Sequence, residues 1–196
     1  ILGSFINVLS YRIPKNMSII LSRSICPNCN TNIPLYKNIP VITYVLQKGK
    51  CHSCNESISL QYPLIEILTA FVLYFGFKIN LPIDENILFI WVSCILITIS
   101  IIDLKTLTIP LRLIIALSLG EIIFMFINPL IIYDMMLGLF IGLGYLGITF
   151  LITSIVYKKQ TLGYGDLFLI SLIGLWIGPI NILICIFLSS VIGILI

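Results

Sequence analysis

The chain has 196 residues, of which 59% are hydrophobic and only 10% are charged. Soluble globular proteins carry about 25% charged residues, so this composition excludes an ordinary water-soluble domain and also a disordered chain. The 11 basic and 8 acidic residues give a net charge of +3, which is too low a density of lysine and arginine for a nucleic-acid-binding surface. We therefore expect most of the chain to lie in a lipid bilayer.

The first eleven residues are apolar but too few to cross a bilayer, which takes about 20 residues. They do not begin with Met. We expect residues 1–11 to be the end of a first transmembrane helix whose beginning precedes this sequence.

Residues 12–61 form the longest polar stretch and carry two C-x-x-C pairs, Cys26 with Cys29 and Cys51 with Cys54. The pairs are separated by 21 residues, close to the spacing of zinc ribbons. Two such pairs offer four sulfurs to one ion, the ligand set of a structural zinc site. A metal cross-link also suits a segment with little hydrophobic core. The alternatives are two disulfides or free thiols.

Residues 62–196 alternate apolar runs with short polar connections. The runs are residues 64–77, 87–102, 113–133, 135–157 and 167–196. The last run is long enough for two short crossings, with Gly178 and the following residues, Pro179 to Asn181, as the turn between them. We predict an all-α, polytopic transmembrane helix bundle over residues 62–196, with a small zinc-ribbon-like loop domain at residues 12–61.

The basic residues indicate the orientation of this bundle. Alternate crossings place ten of them on one side: Arg12, Lys15, Arg23, Lys37, Lys48, Lys50, Lys105, Arg112, Lys158 and Lys159. The other side holds only Lys78, beside three acids. Cytoplasmic loops are enriched in lysine and arginine, so we predict that the cysteine loop is cytoplasmic. That reducing compartment disfavours disulfides.

Two carboxylates border the apolar runs on this same predicted side. Asp103 follows the run at 87–102, and Asp166 follows Gly163 and Gly165 at the start of the last run. Ionisable groups at membrane boundaries are functional candidates, although a single one is also often only an interfacial group. Two adjacent carboxylates share a proton, as in aspartic proteases. The glycines would let a substrate strand approach closely.

The residues in this order resemble the type IV prepilin peptidases, membrane aspartic peptidases that also N-methylate the processed pilin. The matching segments are Gly3–Val8, Tyr11–Pro14, the two C-x-x-C pairs, Asn38–Pro40, Gly49–Cys51, Tyr62–Glu66, Ile102–Leu104 with Ile109–Pro110, and Gly163–Asp166. Each piece is unspecific alone, but the ordered combination is highly specific and spreads over nearly the whole chain.

The resemblance implies the chemistry of the site. Asp103 and Asp166 are then the catalytic pair, and the four cysteines bind structural zinc. S-adenosylmethionine is then the methyl donor, with Gly49 linked to methylation and Glu66 serving either activity or pairing within the bundle. For Gly49 the alternative is a turn residue that positions Cys51. The substrates would be type IV prepilin or pseudopilin precursors, processed at the cytoplasmic face of the bacterial inner membrane.

Two positions depart from the pattern of that family. Leu111 stands where an Asp usually follows Ile-Pro, and Phe168 stands where a Lys is common after the second catalytic Asp. Both changes alter local charge without removing a catalytic carboxylate. The alternatives to a bifunctional enzyme are a peptidase that has lost methylation and a non-enzymatic membrane scaffold that binds a partner through its zinc loop.

Overall fold

The computed structural model describes residues 1–19, 26, 28–29, 31–34, 39–158 and 163–195. Arg23, Lys37 and Lys159 of the predicted cytoplasmic set, and Asn38 of the resemblance, lie outside these residues. The contacts divide the chain into two compact units, Ile1–Leu107 and Thr108–Ile196. The described residues form helices and no strand, which confirms the all-α prediction.

The described part of the first unit contains the helices α1 (Leu2–Arg12), α2 (Ile42–Leu46), α3 (Gln61–Lys78) and α4 (Ile83–Thr106). Helix α1 packs against both α3 and α4, and Ile6, Ile65 and Ile101 form the buried core between them. A glycine allows α1 to approach α3, because a Cβ at Gly3 would lie 2.7 Å from the Cα of Glu66.

The second unit contains α5 (Leu111–Ile127), a 3₁₀ turn at Pro129–Ile131, α6 (Ile132–Tyr157) and α7 (Tyr164–Leu195). Helices α6 and α7 pack over a long interface. The backbones of Gly138 and Gly174 are in direct contact there, and a Cβ at Gly142 would lie 2.8 Å from the carbonyl oxygen of Ile170. Small residues four apart allow this close packing of membrane helices.

Helix α7 is interrupted at Gly178, whose φ of 79° and ψ of 178° are not helical, and Pro179 follows. In an unbroken helix, Gly174 and Ile182 would be about 12 Å apart along the axis. Instead, a Cβ at Gly174 would lie only 3.4 Å from Cγ1 of Ile182. The two halves of α7 therefore fold back on each other, as the predicted turn at Gly178 requires.

Among the described residues, three helical segments are long and apolar enough to cross a membrane: Ile83–Thr106, Pro129–Tyr157 and Tyr164–Ile194, the last of which is interrupted at Gly178. Helices α3 and α5 have 18 and 17 residues, which corresponds to about 27 and 26 Å, close to the hydrocarbon thickness of about 30 Å. These lengths and hydropathies confirm a polytopic membrane bundle.

Candidate functional site

The four cysteines of the two C-x-x-C pairs come together in the first unit. Their Sγ atoms all lie within 4.8 Å of one another, and the Sγ atoms of Cys26 and Cys54 are 3.9 Å apart. A tetrahedral site with Zn–S bonds of about 2.3 Å has sulfurs separated by about 3.8 Å. All four thiols are free of disulfides, so this cluster can hold a metal ion.

Hydrogen bonds around the cluster lower the pKa values of some of its thiols. The hydroxyl and the backbone amide of Thr31 lower the pKa of Cys29 to about 6, and the amides of Cys54 and Ser53 lower the pKa of Cys51. The amide of Glu56 acts to lower the pKa of Cys54. Burial and the neighbouring sulfurs have the larger combined effect and raise this pKa to about 11. A bound cation would relieve this crowding, because metal-coordinated thiols are deprotonated.

Gly49 lies in a turn ahead of the second cysteine pair, with a positive φ of 67°. Its carbonyl accepts a hydrogen bond from the amide of Ile58 at 2.7 Å. The backbones of Lys50 and Ser57 form an isolated antiparallel β-bridge across the loop. A Cβ at Gly49 would lie 2.9 Å from the hydroxyl oxygen of Tyr44. Both the backbone conformation and the ring of Tyr44 thus require glycine here.

Glu66 lies in the second turn of α3 and contacts the loop. Its carboxylate accepts a hydrogen bond of 2.8 Å from the backbone amide of Val41. Val41 immediately precedes α2 and has a positive φ of 58°, which is unusual for a β-branched residue. This bond therefore ties the start of α2 to α3 and helps hold a strained backbone position.

A cavity of about 580 Å³ opens in the first unit between α1, the loop, and the neighbouring ends of α3 and α4. Ligand pockets in proteins have volumes of roughly 300–1,000 Å³. Its polar and aromatic lining includes Asn7, Tyr11, Arg12, Tyr44, Tyr62, Glu66 and Lys105. Glu66 thus faces the cavity, whereas Gly49 lies behind Tyr44 and is not among the lining residues.

Asp103 lies in the last turn of α4 and is half-buried. Its backbone carbonyl accepts a hydrogen bond from the amide of Leu107 at 2.8 Å, and Leu107 ends the helix in the left-handed conformation. The side chain of Asp103 is therefore carried on regular helix, immediately before the chain leaves α4.

Asp166 lies in the first turn of α7 and is also half-buried. The amide of Gly163 donates a hydrogen bond to Oδ2 of Asp166 at 3.3 Å, and the amide of Asp166 donates to the carbonyl oxygen of Gly163 at 3.2 Å. This reciprocal arrangement resembles the N3 half of a capping box. Gly165 beside it allows a tight contact, because a Cβ there would lie 3.0 Å from Cβ of Ile109.

Another carboxylate within the apolar runs is fully buried in the structure. Glu121 of α5 is 0% exposed, and neither of its carboxylate oxygens has a hydrogen-bond partner among the described residues. Glu121 is the acid within the apolar run at 113–133. That isolation in the run at 113–133 is the signal that singles it out, since buried acids are costly unless paired.

Comparison with known proteins covers nearly the whole chain. Residues 90–196 match the sequence profile described as the Type IV leader peptidase family, and residues 1–79 match the Bacterial Peptidase A24 N-terminal domain. The chain belongs to the type IV leader peptidase family. It is thus an enzyme of the peptidase class that the sequence predicted.

Its relatives in this family carry names that join two activities. The chain is 30% identical over 98% of its length to proteins of Pseudomonas aeruginosa and Vibrio cholerae serotype O1, both called "Prepilin leader peptidase/N-methyltransferase". The match covers 75% of the Pseudomonas protein and 80% of the Vibrio protein. A "Type 4 prepilin-like proteins leader peptide-processing enzyme" of Escherichia coli is 29% identical over 93% of the chain and 75% of its own length. No solved structure matches the chain.

The two profiles divide the candidate residues of this leader peptidase. Asp103 and Asp166 both lie within the peptidase profile, whereas the four cysteines, Gly49 and Glu66 lie within the N-terminal one. Asp103 belongs to the first structural unit and Asp166 to the second, so their pairing stays a prediction.

Proposed function

We propose that this chain removes the leader from type IV prepilin or pseudopilin precursors with Asp103 and Asp166 and then N-methylates the new N-terminus. The observation that carries the peptidase assignment is the position of these two acids. Both are half-buried at the ends of membrane helices, and both lie within the region that matches the leader peptidase profile. The positive-inside distribution supports a cytoplasmic site at the bacterial inner membrane.

The proposed cleavage needs one ionised and one protonated carboxylate. The ionised acid takes a proton from a water molecule, which attacks the scissile carbonyl, while the protonated acid donates a hydrogen bond to the carbonyl oxygen. The proton then passes to the departing amine as the C–N bond breaks. Each side chain is held on the last or first turn of a helix, which limits its motion during these transfers.

The test replaces each acid by its amide. Asp166→Asn keeps an oxygen that can accept the hydrogen bond from Gly163, so it removes the ionisable group while preserving the helix start. We expect Asp103→Asn and Asp166→Asn each to lower the cleavage rate of a prepilin substrate by about 100-fold or more. The measurement is the appearance of mature pilin over time in detergent or liposomes.

Asp134→Asn is the matched control for these variants, because Asp134 is an exposed acid in the first turn of α6. It should cleave at the rate of the unsubstituted protein. Unchanged cleavage in either Asp103→Asn or Asp166→Asn would exclude the aspartic mechanism.

The cavity in the first unit is the proposed site of S-adenosylmethionine. This cofactor carries an adenine ring, a carboxylate and two positive centres, and when bound it supplies a methyl group to a nucleophile. The lining residues fit these groups: tyrosine rings can stack on adenine and attract a cation, Arg12 and Lys105 are basic, and Glu66 is acidic. Its volume is also in the range of small-molecule pockets.

A variant at Glu66 tests the methyl-transfer proposal. Glu66→Gln keeps an oxygen for the amide of Val41 but removes the negative charge from the cavity. We expect it to reduce transfer of labelled methyl groups to a mature pilin peptide by about tenfold or more, the loss expected for one charge-assisted hydrogen bond, with cleavage unchanged. Asp134→Asn, which changes an exposed acid that does not line the cavity, is the control.

The same assay distinguishes the two forms of the enzyme. Label in the mature peptide with unsubstituted protein supports a bifunctional enzyme, and complete absence of label alongside active cleavage supports a peptidase without methylation. Equal labelling by Glu66→Gln and the unsubstituted protein would remove Glu66 from the cofactor site.

We assign zinc as the metal of the four-cysteine cluster, in a structural role. Four thiolates at the observed spacing complete a tetrahedral shell and leave no open position for water or substrate. His52 of the second C-x-x-C pair is exposed and is not needed as a ligand. The metal then cross-links the segment that forms one wall of the cavity.

A further inference from the structure

Helix α2 presents an apolar face away from the loop that carries it. Ile42, Val45 and Leu46 are 57, 66 and 76% exposed, and their spacing of three and four residues places them on one side of the helix. Tyr44 lies on the opposite side, where its hydroxyl donates a hydrogen bond to the carbonyl of Ile58 at 3.2 Å. The side of α2 that carries Tyr44 therefore contacts the loop. The apolar side chains on the opposite side are exposed.

The position of α2 along α3 is set by the hydrogen bond between Val41 and Glu66. Glu66 is the sixth residue of α3, about 7.5 Å along the axis from its start. The beginning of α2 therefore lies beside the second turn of α3 and does not extend past its end. A short helix at this level is at the depth where a membrane-crossing α3 enters the bilayer.

The exposed surface of α3 is apolar from its first turn onward. Leu64, Ile67 and Phe71 are all exposed, and Leu60 immediately before the helix is exposed as well. Side chains of this kind on a membrane helix face lipid. The exposed residues of α2 thus lie at the same level as a lipid-facing surface. Contact of these apolar side chains with water would be unfavourable.

Two basic side chains follow the apolar face directly. Lys48 and Lys50 are both exposed, and each lies within four residues of Leu46. Lysines next to an apolar interfacial segment attract the negatively charged headgroups of a bilayer, while their aliphatic stems lie along apolar surface. The charge of this segment therefore matches an anionic lipid surface.

We propose that α2 is an interfacial anchor that inserts Ile42, Val45 and Leu46 into the anionic headgroup region of the membrane. The segment after α2 turns at Gly49 and leads directly to the second cysteine pair, so the anchor holds the metal-binding loop and the cavity wall at the bilayer surface. This contact goes beyond the proposed cleavage and methylation, and it assigns a lipid partner to an element that the sequence placed in a cytoplasmic loop.

Quenching of tryptophan by brominated lipids tests the anchor. The chain has two native tryptophans, Trp91 and Trp176, which are replaced by Phe before Leu46→Trp is introduced into the full chain. In nanodiscs of phosphatidylethanolamine and phosphatidylglycerol, we expect lipids brominated near the glycerol backbone to quench this fluorophore more strongly than lipids brominated near the chain end. Interfacial segments insert only about 5–10 Å.

Glu56→Trp in the same background is the control, because Glu56 is exposed beside the cysteine cluster and carries no apolar neighbours on a helix face. We expect much weaker quenching there. Equal quenching at both positions, or no quenching of the Leu46→Trp fluorophore by any brominated lipid, would overturn the assignment of α2 as the anchor.

A second measurement uses the unsubstituted protein and so does not depend on how the variants fold. Phosphatidylglycerol with a photoactivatable diazirine near its ester bond is incorporated into the nanodiscs, and the adducts are located by mass spectrometry. We expect adducts on residues 42–46 and none on residues 51–57. Labelling restricted to α3 and the other membrane helices, or crosslinks from α2 to added prepilin in place of lipid, would contradict the proposal.

Discussion

At the scale of single residues, Gly49 has two interpretations on which its backbone conformation bears. The sequence left open whether this glycine serves methylation directly or forms a turn that positions Cys51. Its positive φ and its proximity to Tyr44 favour the turn interpretation. Since Tyr44 lines the cavity, Gly49 can still influence the proposed methyl transfer by supporting that wall.

The Gly49→Ala variant tests this support. A methyl group here meets both an unfavourable left-handed backbone, which costs about 1–2 kcal/mol, and the hydroxyl of Tyr44. We expect reduced protection of residues 39–58 from protease and a loss of methyl transfer, with cleavage retained. Gly147→Ala, where the added methyl group meets open space in α6, is the control and should leave both activities intact. Full methylation by Gly49→Ala would show that the turn tolerates a side chain.

Glu121 raises a different question at this scale. Glu121 lies in α5, away from the motifs of the family. Its carboxyl group is fully buried and has no hydrogen-bond partner among the described residues. Burial of an unpaired acid in an apolar bundle costs free energy. Substitution by an apolar residue of similar volume would therefore remove a desolvation cost, and we do not place Glu121 in the reaction.

At the scale of elements, the cysteine loop is the part of the first unit with the least hydrophobic core. Of the residues described between 26 and 60, the buried side chains are the metal-cluster cysteines Cys26 and Cys51. Binding of structural zinc contributes about 10–16 kcal/mol to the folding of small peptides. The metal should therefore decide whether this loop is folded.

Replacement of one cysteine pair tests the metal. We expect one zinc per chain in the purified protein, and almost none after Cys26→Ser with Cys29→Ser. The loop should then become sensitive to protease, and methylation should fall. Cys94→Ser with Cys185→Ser removes two thiols outside the cluster and is the matched control. Equal zinc in the two double variants, measured by elemental analysis, would refute the assignment.

Helices α6 and α7 form the other element whose contacts can be tested. The backbone carbonyl of Gly174 occupies the place where a side chain on Gly138 would lie. We expect Gly138→Val to separate the helices, lower the stability of the second unit by about 1–3 kcal/mol, and reduce cleavage because Asp166 starts α7. Gly144→Ala, which meets open space in the same helix, should melt at the temperature of the unsubstituted protein.

At the scale of the whole molecule, the structural units and the family profiles do not divide the chain at the same place. The peptidase profile begins at residue 90, within α4, but α4 packs with α1 and α3 in the unit that ends at Leu107. Asp103 of the proposed catalytic pair and Lys105 of the cavity therefore lie two residues apart on one helix. Both proposed activities consequently depend on the same end of α4.

Much of this architecture could be predicted from the sequence, because it depends on local composition and spacing. Apolar runs of sufficient length predict membrane helices, and the pairing of C-x-x-C motifs predicts a metal site. Gly178 and Pro179 predict the break in α7, since both residues disfavour an uninterrupted helix. The order of short motifs predicted the family that the sequence profiles later identified.

Other features depend on residues that are distant in the chain, and only the tertiary structure decides them. The bond from Val41 to Glu66 spans 25 residues, and the contact between Gly138 and Gly174 joins two helices. Neither leaves a periodic signal, because a hydrogen bond or a close backbone approach depends on where each helix packs. Sequence alone thus determined that this is a membrane leader peptidase with a four-cysteine loop that could hold a metal. Packing decided that Glu66 holds α2 beside α3 and that the apolar face of α2 is exposed.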